Sequence, residues 1–178
     1  MKLIEELKTE KIVFNGKIMT VKKDEVTLPN GETSFREVVL HNGGSAVLLS
    51  VDNKILFVKQ FRYSVGEELL ELPAGKLEKG ENPQDTAIRE LEEEGGYKVE
   101  KVKLLSAFYP TPGYSSEKIY VYEGINSVKT NMHLDENEFL SHVWIDEDEV
   151  LQYILDGKIV DAKTIIGVQT YLLGKMKK

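Results

Sequence analysis

The sequence predicts a mixed α and β fold whose first half is mostly antiparallel sheet, on three observations. Between residues 11 and 51, short β-branched runs alternate with turn signals. Residues 83 to 94 show helical spacing between a capping Asn82 and a Gly95-Gly96 stop. Strand-like runs then resume, with no repeat and no low-complexity linker. At 178 residues and 41% apolar, the chain has about one domain's length and enough apolar material for a core.

Taken in order, residues 11–14, 18–21, 24–28, 35–40 and 45–49 read as strands. Pro29-Asn30-Gly31 and Asp52-Asn53-Lys54 each sit between two such runs, as hairpin turns do. In the helix, Pro83 suits the first helical position, where its missing N–H would have had no partner. Residues 102–108, 118–123 and 141–145 are further strands, and 146–155 and 163–177 are closing helices. The acidic run Asp146-Glu147-Asp148-Glu149 complements a helix dipole at its N-terminus and receives no catalytic role.

Composition narrows the chemistry. Thirty acidic against 23 basic residues give a formal charge of −7, and no basic stripe offers a duplex its footprint, so nucleic acid is not an expected partner. The absence of cysteine excludes disulfides, thiolate metal sites and a cysteine nucleophile. Carboxylates and three histidines remain as metal-binding material, which suits a hard cation. His41, His133 and His142 match no metal-ligand spacing and read as structural. The opening residues 1–7 are charged and unlike a signal peptide, and no apolar run approaches the ~20 residues that span a bilayer. A cytoplasmic protein without a membrane partner is expected.

On a helical wheel Gln84, Ala87, Ile88 and Leu91 share the buried face, while Glu90, Glu93 and Glu94 border it and Asp85, Arg89 and Glu92 point elsewhere. Like charges at these spacings repel by a few tenths of a kcal/mol per pair, and no lysine is spaced to relieve them. A divalent cation would relieve them. Oxygen ligands without Cys or His favour Mg²⁺ or Mn²⁺, and Mg²⁺ binds together with substrate phosphates.

Gly75, Glu81, Arg89, Glu90, Leu91, Glu93, Glu94 and Gly96 are spaced as in the Nudix box: glycine, five residues, glutamate, seven residues, then Arg-Glu-apolar-x-Glu-Glu-x-Gly-apolar. The seven fixed identities would coincide by chance on the order of 10⁻⁸ per starting position, so the pattern is specific. The chain therefore resembles a Nudix hydrolase. Tyr97 in the closing apolar position, and Pro112 in Thr111-Pro112-Gly113-Tyr114, resemble the ADP-ribose pyrophosphatase branch. The likeness covers most of the chain from about Phe35, with the first residues matching only in pattern.

What the resemblance implies is an α/β/α sandwich with a mixed sheet over residues 43–178, preceded by an antiparallel β segment over 1–42 that serves dimerisation and substrate binding. It implies hydrolysis of ADP-ribose to AMP and ribose 5-phosphate by a homodimer. Two or more Mg²⁺ ions, with Mn²⁺ as a substitute, would be held by Glu90, Glu93, Glu94 and the Ala74 carbonyl, with Glu138 as a further ligand. Glu136 would be the general base, although Glu138 in the same acidic stretch, Asp135 to Glu138, competes for that role. Arg89 would orient the box glutamates, and Gly75 and Gly96 would permit tight turns. Arg36 and Arg62 align by context with arginines that hold phosphate or ribose, Glu71 with a substrate or metal neighbour, and Pro112 with a substrate loop. Another nucleoside diphosphate sugar, such as a GDP-hexose, remains an alternative, since the box specifies the diphosphate and not the base. From a different class, a non-catalytic ADP-ribose sensor would be expected to carry an appended DNA-binding domain and to lose box glutamates. The present chain keeps them.

Overall fold

The structure is a computed structural model that describes residues 3–177. Met1 and Lys2, which open the expected N-terminal β segment, lie outside the described residues, as does Lys178. The chain divides into two compact units, one of residues up to Gly43 together with Tyr109–Lys118, the other of Gly44–Phe108 and Ile119–Lys178.

In the first unit, β3 (Thr20–Thr27) pairs antiparallel along its whole length with β4 (Thr33–Leu40). Its other edge takes β1 (Glu6–Thr9) and then β2 (Ile12–Asn15). The runs expected at 18–21 and 24–28 are thus one strand, because the ladder to β4 carries Lys22 and Lys23 through what looked like a break. β1 went unforeseen: Glu-Leu-Lys-Thr has neither alternation nor β-branched enrichment, and only its pairing to β3 makes it a strand. The loop Tyr109–Lys118 docks on β4, where Val39 N–H donates to the Tyr114 carbonyl at 2.7 Å.

The second unit holds two further sheets. One runs β10 (Tyr97–Phe108), β11 (Ile119–Lys129), β5 (Gly44–Leu48), β9 (Ala74–Lys76), with β11 and β5 parallel and the rest antiparallel. The other groups β12 (Leu140–Asp146), β7 (Lys54–Arg62), β6 (Ser50–Val51) and β8 (Glu67–Glu71). The first expectation of a mixed sheet holds, and the reason is visible in β5, every residue of which is buried. Alternate side chains leave its opposite faces. Ala46 and Leu48 join a core with Val121, Ile159, Val168 and Tyr171, and Val47 and Leu49 join one with Ala87, Leu91 and Tyr122. The first core belongs to α3 (Ala162–Met176) and the second to α1 (Pro83–Glu93), so helices cover both faces of the sheet in an α/β/α sandwich.

Element ends differ from expectation where tertiary pairing decides them. β10 starts at Tyr97 rather than 102 because Tyr97 already pairs with Lys129. The helix expected at 146–155 is only α2 (Val150–Leu155), since Asp146 still pairs with Lys54 in β12. Its acidic prefix is therefore not a dipole partner throughout. Glu147 accepts from Tyr171 Oη at 2.8 Å and pairs with Lys175, tying α3 to the end of β12.

Candidate active site

The helix α1 is the platform of the site, and its start is built from local chemistry. The Asn82 side chain accepts from Gln84 N–H at 3.0 Å, with Pro83 following in the first turn. Thr86, Ala87, Glu90 and Leu91 are its buried residues, whereas Gln84, expected on that face, is exposed. Gln84 sits in the first turn on its solvent side, although Ser45 Oγ of β5 already donates to the neighbouring Pro83 carbonyl at 2.7 Å. The packing that sinks Leu91 also sinks the acids beside it: Glu90 is 8% exposed and Glu94, the C-cap, 2%.

Three contacts hold these carboxylates. Ala74 N–H, from β9, donates to Glu94 Oε2 at 2.8 Å. Gly75 lies so close to Glu90 that a Cβ there would stand 1.7 Å from Oε1. This glycine is required by close approach, not by the tight turn expected of it, whereas Gly96 does occupy a left-handed turn at φ +67°. Arg89 Nη1 reaches Glu93 Oε2 at 2.7 Å and Glu90 Oε1 at 2.8 Å, and its Nε stands 3.6 Å from Glu81 Oε1. The wheel put Arg89 off the acidic face, but its long side chain curls back onto it, so the glutamates are not without a cation. Glu81 in turn accepts from Glu78 N–H at 2.9 Å and closes the loop before the helix.

The cluster remains short of positive charge. Burial first, then the neighbouring Glu90 and Glu138, push the Glu94 carboxyl up to about 8 against the opposing Ala74 N–H. Burial also raises Glu90, against Arg89. Glu138 thus stands beside the box acids, while Glu136, two residues earlier, is exposed on the loop. Among the described residues no three Asp, Glu, His or Cys side chains converge closely enough to hold an ion as they stand. The donor chemistry nevertheless fits a hard divalent cation, because buried, mutually repelling carboxylates supply oxygen ligands and the missing charge is positive.

On the other side of Ala74, Arg62 at the end of β7 grips Glu71 of β8 bidentately, Nε to Oε1 at 2.6 Å and Nη2 to Oε2 at 2.7 Å. Lys163 of α3 also bonds Glu71 Oε2. Both oxygens of Glu71, 1% exposed, are thereby engaged within the protein. Burial favours its neutral form, but Arg62 and Lys163 outweigh it and hold the carboxyl down to about 2. Arg62 also feels the Glu94 charge. Lys163 and its neighbours Asp161 and Thr164 had no signal in the sequence beyond the start of a helix.

Arg36 and Pro112 belong to the first unit. Arg36 in β4 pairs with Glu5, and Pro112 is exposed in the loop that docks on β4. His142 Nε2 donates to the Glu94 carbonyl at 2.6 Å, and the backbone N–H of the exposed His133 to that of Glu93 at 3.0 Å. His41 Nδ1 accepts from Gly43 N–H at 3.0 Å.

A model of the NUDIX domain matches residues 39–165, and one of the nucleoside diphosphate sugar hydrolase N-terminal domain matches residues 5–39. A methanol dehydrogenase activator of Bacillus methanolicus is 46% identical over 173 residues, 94% of this chain and 93% of its own. An ADP-ribose pyrophosphatase of Bacillus subtilis (strain 168) is 41% identical over 173 residues, 95% of this chain and 94% of its own. A crystal structure of an ADP compounds hydrolase superposes with a TM-score of 0.86 at 19% identity, covering 96% of this chain and 95% of that one, a likeness of fold.

Proposed function

The chain belongs to the Nudix hydrolase family, and from that premise we propose that it hydrolyses ADP-ribose to AMP and ribose 5-phosphate. Water adds across the diphosphate, one phosphate leaving with the adenosine and the other with the ribose. The observation that carries the reading is the under-neutralised cluster of buried Glu90 and Glu94 with half-buried Glu138, and with Arg62 in electrostatic reach. Such a site attracts a cation and, through it, a polyanionic substrate.

The family's divalent metal is taken here to be Mg²⁺, two or more ions, with Glu90, Glu93, Glu94, Glu138 and the Ala74 carbonyl as holders. When bound, the metal neutralises the diphosphate and makes water acidic. Arg89 keeps the glutamates in place, and Arg62 and Arg36 bind phosphate or ribose. Glu71 acts by orienting Arg62, since both its oxygens are engaged. Pro112 shapes a substrate loop. Glu136, exposed and within the same acidic stretch, is the proposed base, consistent with Glu138 lying among the ligands instead.

We also propose that the protein is a cytoplasmic homodimer made of a β segment over residues 1–42 and a hydrolase domain over 43–178. Leu7, Ile12, Val13, Phe14 and Phe35 in the first sheet are each more than half exposed, an apolar surface that a second copy would cover. Light scattering tests this, and a monomer at assay concentration overturns it. A second reading rests on the Bacillus methanolicus relative, that the chain stimulates an alcohol dehydrogenase. Adding it to that relative's partner enzyme and following turnover tests it.

The decisive experiment is a panel of nucleoside diphosphate sugars with Mg²⁺, scored for released nucleoside monophosphate. AMP from ADP-ribose at the highest kcat/KM is expected. A GDP-hexose preferred over ADP-ribose overturns the substrate, and release of no monophosphate overturns the activity.

A further inference from the structure

Four consecutive residues, Glu71 to Ala74, are tied between them to β7, α3, Val47 of β5 and the C-cap of α1. Glu71 bonds Arg62 of β7 and Lys163 of α3. Leu72 N–H donates to Thr164 Oγ1 at 2.9 Å, Val47 N–H donates to the Pro73 carbonyl at 2.9 Å, and Ala74 N–H donates to Glu94 at 2.8 Å. The start of α3 therefore grips the strand that joins the arginine to the acidic helix. This grip is itself fixed. Asp161 caps α3 by accepting from Thr164 N–H at 3.0 Å, and stands 3.0 Å from Lys163 Nζ, so the lysine is braced by the helix cap.

We propose that Lys163 is a positioning residue for Arg62: by bonding Oε2 of the buried Glu71 carboxylate, the oxygen that Arg62 Nη2 also bonds, it fixes the direction in which Arg62 is presented to an anionic diphosphate substrate. The proposal rests on the hydrolase reading for its substrate and on geometry for its coupling. Arg62 occupies two of its N–H groups on Glu71, so its orientation is whatever Glu71's is. Glu71 itself is sealed from bulk solvent, at 1% exposure. With Lys163 gone, the carboxylate answers to one cation and turns with it, and the pair moves as a unit on a side chain that is 39% exposed. Lys163 thereby acts on the substrate through two intervening residues without touching it. Its own position in the first turn of α3, 92 residues from Glu71, gives it no place in the box motif.

Lys163→Met tests this, because it keeps the aliphatic stem and removes the charge. The readouts are KM and kcat for ADP-ribose at saturating Mg²⁺, thermal unfolding, and the Arg62 Nε–H resonance in NMR. KM is expected to rise about tenfold, the scale of coupling within one hydrogen-bonded network, with kcat within about twofold. In the Arg62→Ala background the same substitution is expected to add nothing to KM. The Arg62 resonance is expected to shift and broaden in Lys163→Met and to return in Lys163→Arg, which keeps a cation and also serves should the methionine variant fail to fold. A lysine with only a structural role lowers the unfolding temperature and leaves KM unchanged, which overturns the proposal. Additive effects with Arg62→Ala overturn it as well. If the unmodified protein does not hydrolyse ADP-ribose, the substrate reading fails separately, and an unmoved Arg62 resonance in Lys163→Met still overturns the positioning role.

Discussion

Glu71 and Glu94 are tied to the two ends of one four-residue segment and are almost equally sealed from water, at 1% and 2% exposure. Their carboxyl groups are nonetheless held at about 2 and about 8. Burial pushes both upward, so the difference is made by partners. Glu71 faces two cations, one of them bidentate, while Glu94 faces a single N–H and two further carboxylates. The first is a completed ion pair that holds backbone in place. The second is a site whose charge is left unbalanced, and the imbalance is what a divalent cation would cancel. Two buried glutamates within one unit thus separate into a brace and a binding site on electrostatic grounds alone.

The sharpest break of that contrast is to neutralise each carboxylate in turn. Glu94→Gln is expected to cost about 10³-fold in kcat, roughly 4 kcal/mol, with a weakened response to Mg²⁺, while unfolding in metal-free neutral buffer stays the same or improves because the fold no longer has to hold a carboxyl that burial raises to about 8. Glu93→Gln should likewise weaken the Mg²⁺ response, with a smaller effect on stability because that side chain is exposed to a greater degree. Wild-type turnover at limiting Mg²⁺ in either variant sinks the ligand assignment.

Within the loop, Glu136→Gln is expected to lower kcat by about 10²–10⁴-fold with an unchanged Mg²⁺ response, as loss of a base does. Glu138→Gln should shift the Mg²⁺ dependence as well, since that carboxyl stands beside Glu94. Titrations of both variants decide it. The reverse pattern exchanges the two roles, and near-normal rates in both place the base elsewhere.

Glu71→Gln should do the opposite of Glu94→Gln, costing about 3 kcal/mol of stability because it strands a half-buried lysine and part of an arginine. The pH dependence carries the same sign. A carboxyl lowered from 4.5 to about 2 in the folded state contributes stability that is whole above 4.5 and lost as pH falls toward 2. Urea unfolding between pH 5 and pH 2.5 should therefore steepen in the natural protein and flatten in Glu71→Gln. Equal slopes would mean that Glu71 is not the group being titrated.

How far each half of this contrast was legible in the sequence follows from the distance over which it is built. The acidic platform is local: Asn82, Pro83 and the spacing of Ala87, Leu91 and the glutamates announce a capped helix with acids at its buried edge. The brace is not, because Glu71 meets Arg62 across 9 residues and Lys163 across 92, and no periodicity encodes that meeting. Arg89 failed on the wheel for a related reason. A wheel fixes where Cβ points, and a five-bond side chain is free to return to the face it left. Gly75 looked like a turn glycine because turns are the commoner use, and only the position of Glu90 shows that it is a glycine of close approach.

The smallest expected effects concern the two arginines, and they separate the braced one from the other. Arg62→Ala should raise KM for ADP-ribose by an amount corresponding to about 1.5–3 kcal/mol, the worth of a charge-assisted phosphate contact, and leave kcat less changed. It should also destabilise the fold, because Glu71 keeps only Lys163. Arg36 has no such buried dependant. Its partner Glu5 is surface-exposed, and both side chains are more than a third open to solvent. Arg36→Ala should therefore raise KM while leaving thermal unfolding where it was, the same kinetic direction without the structural penalty. Michaelis constants and unfolding temperatures of the two variants, taken side by side, check this. A drop in unfolding temperature for Arg36→Ala equal to that for Arg62→Ala would show that the brace around Glu71 is not what ties substrate binding to stability, and an unchanged KM in both would remove both arginines from the site.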